Sequence, residues 1–164
     1  NDLNGLFPQI INRTQVINFF PEVSNVVEPQ YCSTLYMKNI LIVEDDMILS
    51  RLLETIVTHF GYEVVGKEST GKKAIKSTRE LKPDIIIIDI SLQGDLDGIE
   101  TMNFIRTFYE VPFIYITGNS DHQTKIRAME TKPSCILFKP VGMTDLKNAL
   151  LKTEVNESNS EVRS

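Results

Sequence analysis

Three carboxylates, one amine and one hydroxyl stand at the ends of apolar runs in this chain, and together they could bind and transfer a phosphoryl group. Glu44 and Asp45 follow Ile40-Leu41-Ile42-Val43, and Asp89 follows Ile85-Ile86-Ile87-Ile88. Thr117 closes Phe113-Ile114-Tyr115-Ile116, and Lys139-Pro140 close Cys135-Ile136-Leu137-Phe138. Carboxylates held together repel one another, which raises at least one pKa. A hard divalent cation relieves that repulsion, and Mg2+ is typically held by one or two carboxylates, several waters and phosphate oxygens. Asp89 could also be a nucleophile, because carboxylates attack phosphoryl groups to give acyl phosphates. That step depends on positioning and charge neutralisation. Lys139 would supply a point charge to the phosphoryl oxygens, and Thr117 a hydroxyl donor.

Taken one at a time, these residues have bland readings: an acid after a strand caps the next helix, a lysine is solvated, a threonine ends a strand. Asp46 is assigned that bland role as an N-cap. Asp89 precedes a loop and has no nearby helix to cap, so it is kept with the candidate site.

The elements that must position these groups follow from periodicity. Short unbroken apolar runs are the mark of parallel strands buried on both faces. Five such strands are expected, at 40–43, 62–65, 85–89, 111–117 and 135–138. Ile48, Leu49, Leu52, Leu53, Ile56, Val57 and Phe60 keep helical spacing before Gly61. Further helices are expected over 70–81, from Ile99 to Phe108, over 120–131 and over about 143–152. Lys82-Pro83-Asp84 reads as a turn, since the residue before proline disfavours helix. Alternating strands and helices imply right-handed crossovers with helices on both faces. Ligands of such sheets bind beyond the carboxyl ends of the strands, where all the candidate groups would meet.

The 164 residues suffice for one domain with a sizeable core. A formal charge of −5 argues against a nucleic-acid surface. No stretch reaches the roughly 20 apolar residues of a membrane span, and the start lacks signal-peptide order, so a cytoplasmic location is expected. Two cysteines, Cys32 and Cys135, make neither a disulfide framework nor a zinc site. Residues 1–36, broken by Pro8, Pro21 and Pro29, form an extension to which no chemistry is assigned. Residues 153–164 are polar and expected to be disordered. No output domain is expected beyond 152.

Residues 37–152 resemble the receiver domains of two-component response regulators. The resemblance rests on Ile-Leu-Ile-Val-Glu44-Asp45-Asp46, Pro83-Asp84-Ile-Ile-Ile-Ile-Asp89, Asp97-Gly98-Ile-Glu, Ile116-Thr117-Gly118 and Lys139-Pro140, in order and at fitting spacings. It implies a flavodoxin-like α/β fold: a doubly wound, five-stranded parallel sheet of order 2-1-3-4-5. It also implies that Asp89 accepts a phosphoryl group from a sensor histidine kinase or histidine phosphotransfer protein. Asp45, Asp89 and the main-chain carbonyl of Ser91 would bind Mg2+ directly, and Glu44 through water. Thr117 and Lys139 would contact the phosphate, and the Lys139–Pro140 peptide would be cis. The signal would pass to a downstream partner, or to a second copy, through helix 4, strand 5 and helix 5, with no nucleic acid or membrane bound directly.

The chain departs from the common pattern in two places. The loop after Asp89 reads Ser91-Leu92-Gln93-Gly94-Asp95-Leu96, one residue longer than usual and without its proline. Ile136 stands where an aromatic switch residue is usual, and an aliphatic side chain cannot swing in and form a hydrogen bond. Three rival functions fit the same residues less well. A phosphatase with an aspartate nucleophile needs a second aspartate two residues on, where this chain has Ser91. A flavin carrier needs a phosphate loop where this chain has three acids. A degenerate receiver acting only as a docking module would not need all five site residues.

Overall fold

The computed structural model describes residues 37–118 and 121–161, with side-chain surroundings as far as residue 154. The expected 1–36 extension, with Cys32, and the last residues of the tail, 162–164, lie outside the described residues.

The ten elements alternate from end to end. They are β1 (Asn39–Val43), α1 (Met47–His59), β2 (Glu63–Glu68), α2 (Gly71–Leu81) and β3 (Ile85–Asp89), then α3 (Gly98–Ile105), β4 (Phe113–Thr117), α4 (His122–Glu130), β5 (Cys135–Phe138) and α5 (Met143–Glu161). The strands form one parallel sheet in the order β2-β1-β3-β4-β5, the doubly wound arrangement that the family resemblance implied. Among the described residues no helix is long and apolar enough to cross a membrane.

Strand alternation sends successive side chains to opposite faces. Ile40, Ile42, Ile85, Ile87, Ile114 and Ile116 therefore join α1 and α5 in one core. Leu41, Val43, Ile86, Ile88, Phe113 and Tyr115 join α2 and α3 in the other. All four isoleucines of β3 are at most 1% exposed, so the strand that ends in Asp89 is clamped from both sides.

Element ends differ from expectation where pairing or burial overrides composition. β2 runs on to Glu68 because its polar end pairs with β1, and the Glu44 N–H donates to the Glu68 carbonyl at 2.9 Å. The β1–β2 register shifts between Ile40 and Leu41, which leaves Val65 as an extra residue before Gly66. A Cβ on Gly66 would meet Leu41 Cδ1 and Leu81 Cδ1 at 3.0 Å. α3 stops at Ile105, and Phe108 lies in the following turn beneath the Arg79 guanidinium, 4.4 Å from its ring centroid. β4 opens at Phe113, not at Val111.

α5 continues past the expected end at about 152, to Glu161. Thr153 is fully buried, with its hydroxyl donating to the Leu150 carbonyl at 2.6 Å. The Tyr62 hydroxyl donates to Glu154 Oε1 at 2.8 Å. Polar composition concealed this anchorage to the start of β2.

Candidate functional site

β1 and β3 are adjacent and in register, with Val43 opposite Ile88, so the acids that follow them emerge side by side. Ligand oxygens of Glu44, Asp45 and Asp89 all lie within 4.8 Å of one another. Glu44 and Asp89 are buried and Asp45 is half-buried. Asp46 turns away to cap α1, accepting from the N–H groups of Ile48 at 2.8 Å and Leu49 at 3.2 Å.

Lys139, just past the end of β5, reaches into this cluster. Its Nζ is 2.8 Å from Asp89 Oδ2 and 3.0 Å from Glu44 Oε2. The other oxygen of Asp89, Oδ1, accepts from the Ser91 N–H at 3.0 Å. Burial opposes the charge on Lys139, but the hydrogen bond to Asp89 and the ion pair with Glu44 outweigh it and hold the ammonium pKa above its usual value. Burial raises the Glu44 carboxyl. The Lys139 contact pulls it back, the Asp89 charge adds to the rise, and the net shift is upward. Glu44 Oε2 is fully buried and makes no hydrogen bond of acceptable geometry, despite its closeness to Lys139.

Thr117 ends β4 and is 2% exposed. Its carbonyl accepts the Lys139 N–H at 2.9 Å, so the threonine and lysine are tied across the last two strands. The Lys139–Pro140 peptide is cis. Ile136 is half-buried against the α2–α3 core and pairs with Tyr115.

Residues 40–151 match the family described as the response regulator receiver domain. The chain belongs to this family. The receiver domain is 34% identical over 114 residues to the KDP operon transcriptional regulatory protein KdpE of Escherichia coli (strain K12), covering 70% of this chain and 50% of that protein. Over 121 residues it is 30% identical to the response regulator protein VraR of Staphylococcus aureus (strain NCTC 8325 / PS 47), covering 73% and 57%. The chain thus spans about half the length of the curated relatives it matches. The signal receiver domain of a modulated diguanylate cyclase from Desulfovibrio desulfuricans G20 superposes with a TM-score of 0.71 at 31% identity, covering 76% of this chain and 98% of that one. A CheY-like receiver domain protein from Methanospirillum hungatei JF-1 has a TM-score of 0.67.

Receiver domains are signalling switches, and this one contains polar contacts near the site that spacing alone did not reveal. Tyr115 is fully buried on β4, and its Oη lies 3.0 Å from Thr131 Oγ1 at the end of α4. Burial pushes this phenol up to about 12, although the bond to Thr131 lowers it. The tyrosine hydroxyl near α4 is therefore supplied by β4, beside the aliphatic Ile136. The signal was one hydroxyl-bearing aromatic within an otherwise apolar run.

On the other side, Asp97 caps α3 in a reciprocal pair with Glu100, at 2.7 and 2.9 Å. Its Oδ2 accepts from Arg127 of α4 at 2.8 Å. Helix α4 itself buries only Ala128. Burying one methyl contributes below about 1 kcal/mol, the same range as an exposed ion pair. Polar ties therefore matter to α4 as much as packing does.

Proposed function

We propose that this receiver domain accepts a phosphoryl group on Asp89 from the phosphohistidine of a sensor histidine kinase or histidine phosphotransfer protein. The observation that carries this reading is the Lys139–Asp89 ion pair at 2.8 Å, set beside two further carboxylates at adjoining strand ends. An oxygen of Asp89 would form a bond to phosphorus as the donor's P–N bond breaks, leaving the electron pair on the imidazole. Lys139 would move its contact from Asp89 to the phosphoryl oxygens, and the Thr117 hydroxyl would donate to one of them.

The donor set suits Mg2+. Three carboxylates converge on oxygen-only coordination, and the buried Glu44 Oε2 lacks a hydrogen bond. Asp45, Asp89 and the Ser91 carbonyl would hold the ion directly, with Glu44 acting through water. When bound, Mg2+ would neutralise charge on the transferred group.

The domain would act as a switch, catalysing only its own phosphorylation and dephosphorylation. The added charge, near −2, would bias the loop arrangement around the site. The altered surface of α4, β5 and α5 would engage a downstream protein or a second copy, in the cytoplasm and without direct contact to nucleic acid or membrane. Residues 1–36 would be an accessory segment.

Incubation with phosphoramidate and Mg2+ tests this reading: the intact mass should rise by one phosphoryl group, and Asp89→Asn should abolish the increase. Labelling that survives the substitution would refute Asp89 as acceptor. Sustained turnover of a small phosphate ester would favour the phosphatase instead.

A further inference from the structure

Among the described residues, polar ties join the last turn of α4 and its C-cap to the rest of the domain. Arg127 bonds Asp97 at 2.8 Å. Thr131, the C-cap, meets the Tyr115 hydroxyl at 3.0 Å, and its carbonyl accepts from Arg106. Ile126 and Met129 flank Arg127 and are 47% and 57% exposed. Arg127 thus stands on the same helical turn as the exposed apolar residues of α4.

Asp97 is in turn fixed to the backbone of the candidate acceptor. The next residue, Gly98, donates its N–H to the Ile90 carbonyl at 2.9 Å and lies against the Asp89 carbonyl. The same loop begins with the Ser91 N–H on Asp89 Oδ1. A charge change at Asp89 would thus act on a short loop whose far end holds Arg127. The aliphatic Ile136 can make no side-chain hydrogen bond of its own.

We propose that the Asp97–Arg127 ion pair is the link through which the phosphorylation state of Asp89 reaches α4, in place of the side chain at position 136. The inference rests on Asp89 being the acceptor. The loop has a second ion pair, Lys72 with Asp95, which leads to α2 and serves as an internal control.

The test is hydrogen exchange of the α4 amides in the full chain, with and without beryllofluoride and Mg2+. Fluorine NMR would report adduct formation independently. In the unsubstituted protein the adduct should change α4 exchange by about two- to fivefold, the range an exposed ion pair allows. Arg127→Gln and Asp97→Asn should form the adduct yet lose that change; asparagine caps a helix as well as aspartate does, so the α3 cap survives. Arg127→Lys should restore part of the response, while Lys72→Gln and Ile136→Val should leave it intact. An undiminished response in both Arg127→Gln and Asp97→Asn would overturn the link and leave the acceptor assignment standing. Absence of any adduct in the unsubstituted protein would overturn both.

Discussion

Gly98 lies directly against Asp89: a Cβ on Gly98 would stand 2.0 Å from the Asp89 carbonyl oxygen and 2.9 Å from its carbonyl carbon. Both are backbone atoms, so no flexible side chain can give way. The start of α3 and the end of β3 are held together by the absence of a side chain.

Gly98→Ala should therefore destabilise the domain by about 1–3 kcal/mol, the usual cost of overpacking, and should slow phosphoramidate labelling of Asp89. Thermal denaturation and labelling rates would measure the two effects. A variant with native stability and native labelling would show that the close approach has no consequence.

Asp45 and Asp46 are neighbours in sequence with unlike roles, and their substitutions should separate cleanly. Asp46→Ala removes the α1 cap and should cost about 1 kcal/mol while labelling persists. Asp45→Asn removes one of three crowded charges, so the metal-free protein should gain up to about 1 kcal/mol. That variant should also lose the rise in melting temperature expected if Mg2+ binds the native state at the proposed site. Melting curves with and without Mg2+ would decide, and an unaltered Mg2+ effect in Asp45→Asn would refute its role as a ligand.

Tyr115 should make the domain sensitive to alkali. Its folded pKa is raised from 10.0 to about 12, so its contribution is complete below pH 10 and is lost as pH rises towards 12. The loss amounts to about 3 kcal/mol. The raised pKa of Lys139 acts in the same direction, so part of the alkaline loss should remain in Tyr115→Phe. At neutral pH that variant should lose about 1 kcal/mol, since the Thr131 hydroxyl still donates to the Ala128 carbonyl at 2.6 Å. Tyrosinate absorbance should show a late-titrating component that is reduced in the variant; an unchanged titration curve would contradict this.

The β3 run Ile85–Ile88 declared both its strand and its double burial, because only a central parallel strand suits four consecutive isoleucines. Asp46 declared a cap by preceding a helical period. The α1 pattern misled in part: Ile48 and Leu52 keep helical spacing yet are 83% and 47% exposed, while the polar Ser50 is buried. Periodicity gives the existence of an apolar stripe but not the angle at which a helix meets its sheet. The Asp97–Arg127 contact was not legible because it joins residues 30 positions apart through a packing angle no local pattern encodes. The end of α5 was missed because Thr153 is buried inside a polar stretch. In each case a tertiary partner, absent from the local sequence, decided the outcome.

The isoleucines of β3 also have a spectroscopic consequence. Ile85 and Ile87 lie in one core, and Ile86 and Ile88 in the other, all within four residues of Asp89. Isoleucine methyl resonances would thus report from both sides of the sheet on a single strand. A perturbation that begins at Asp89 and travels to α1 and α5 would shift one pair; one that travels towards α2 and α3 would shift the other. The strand that carries the proposed acceptor is its own two-channel recorder.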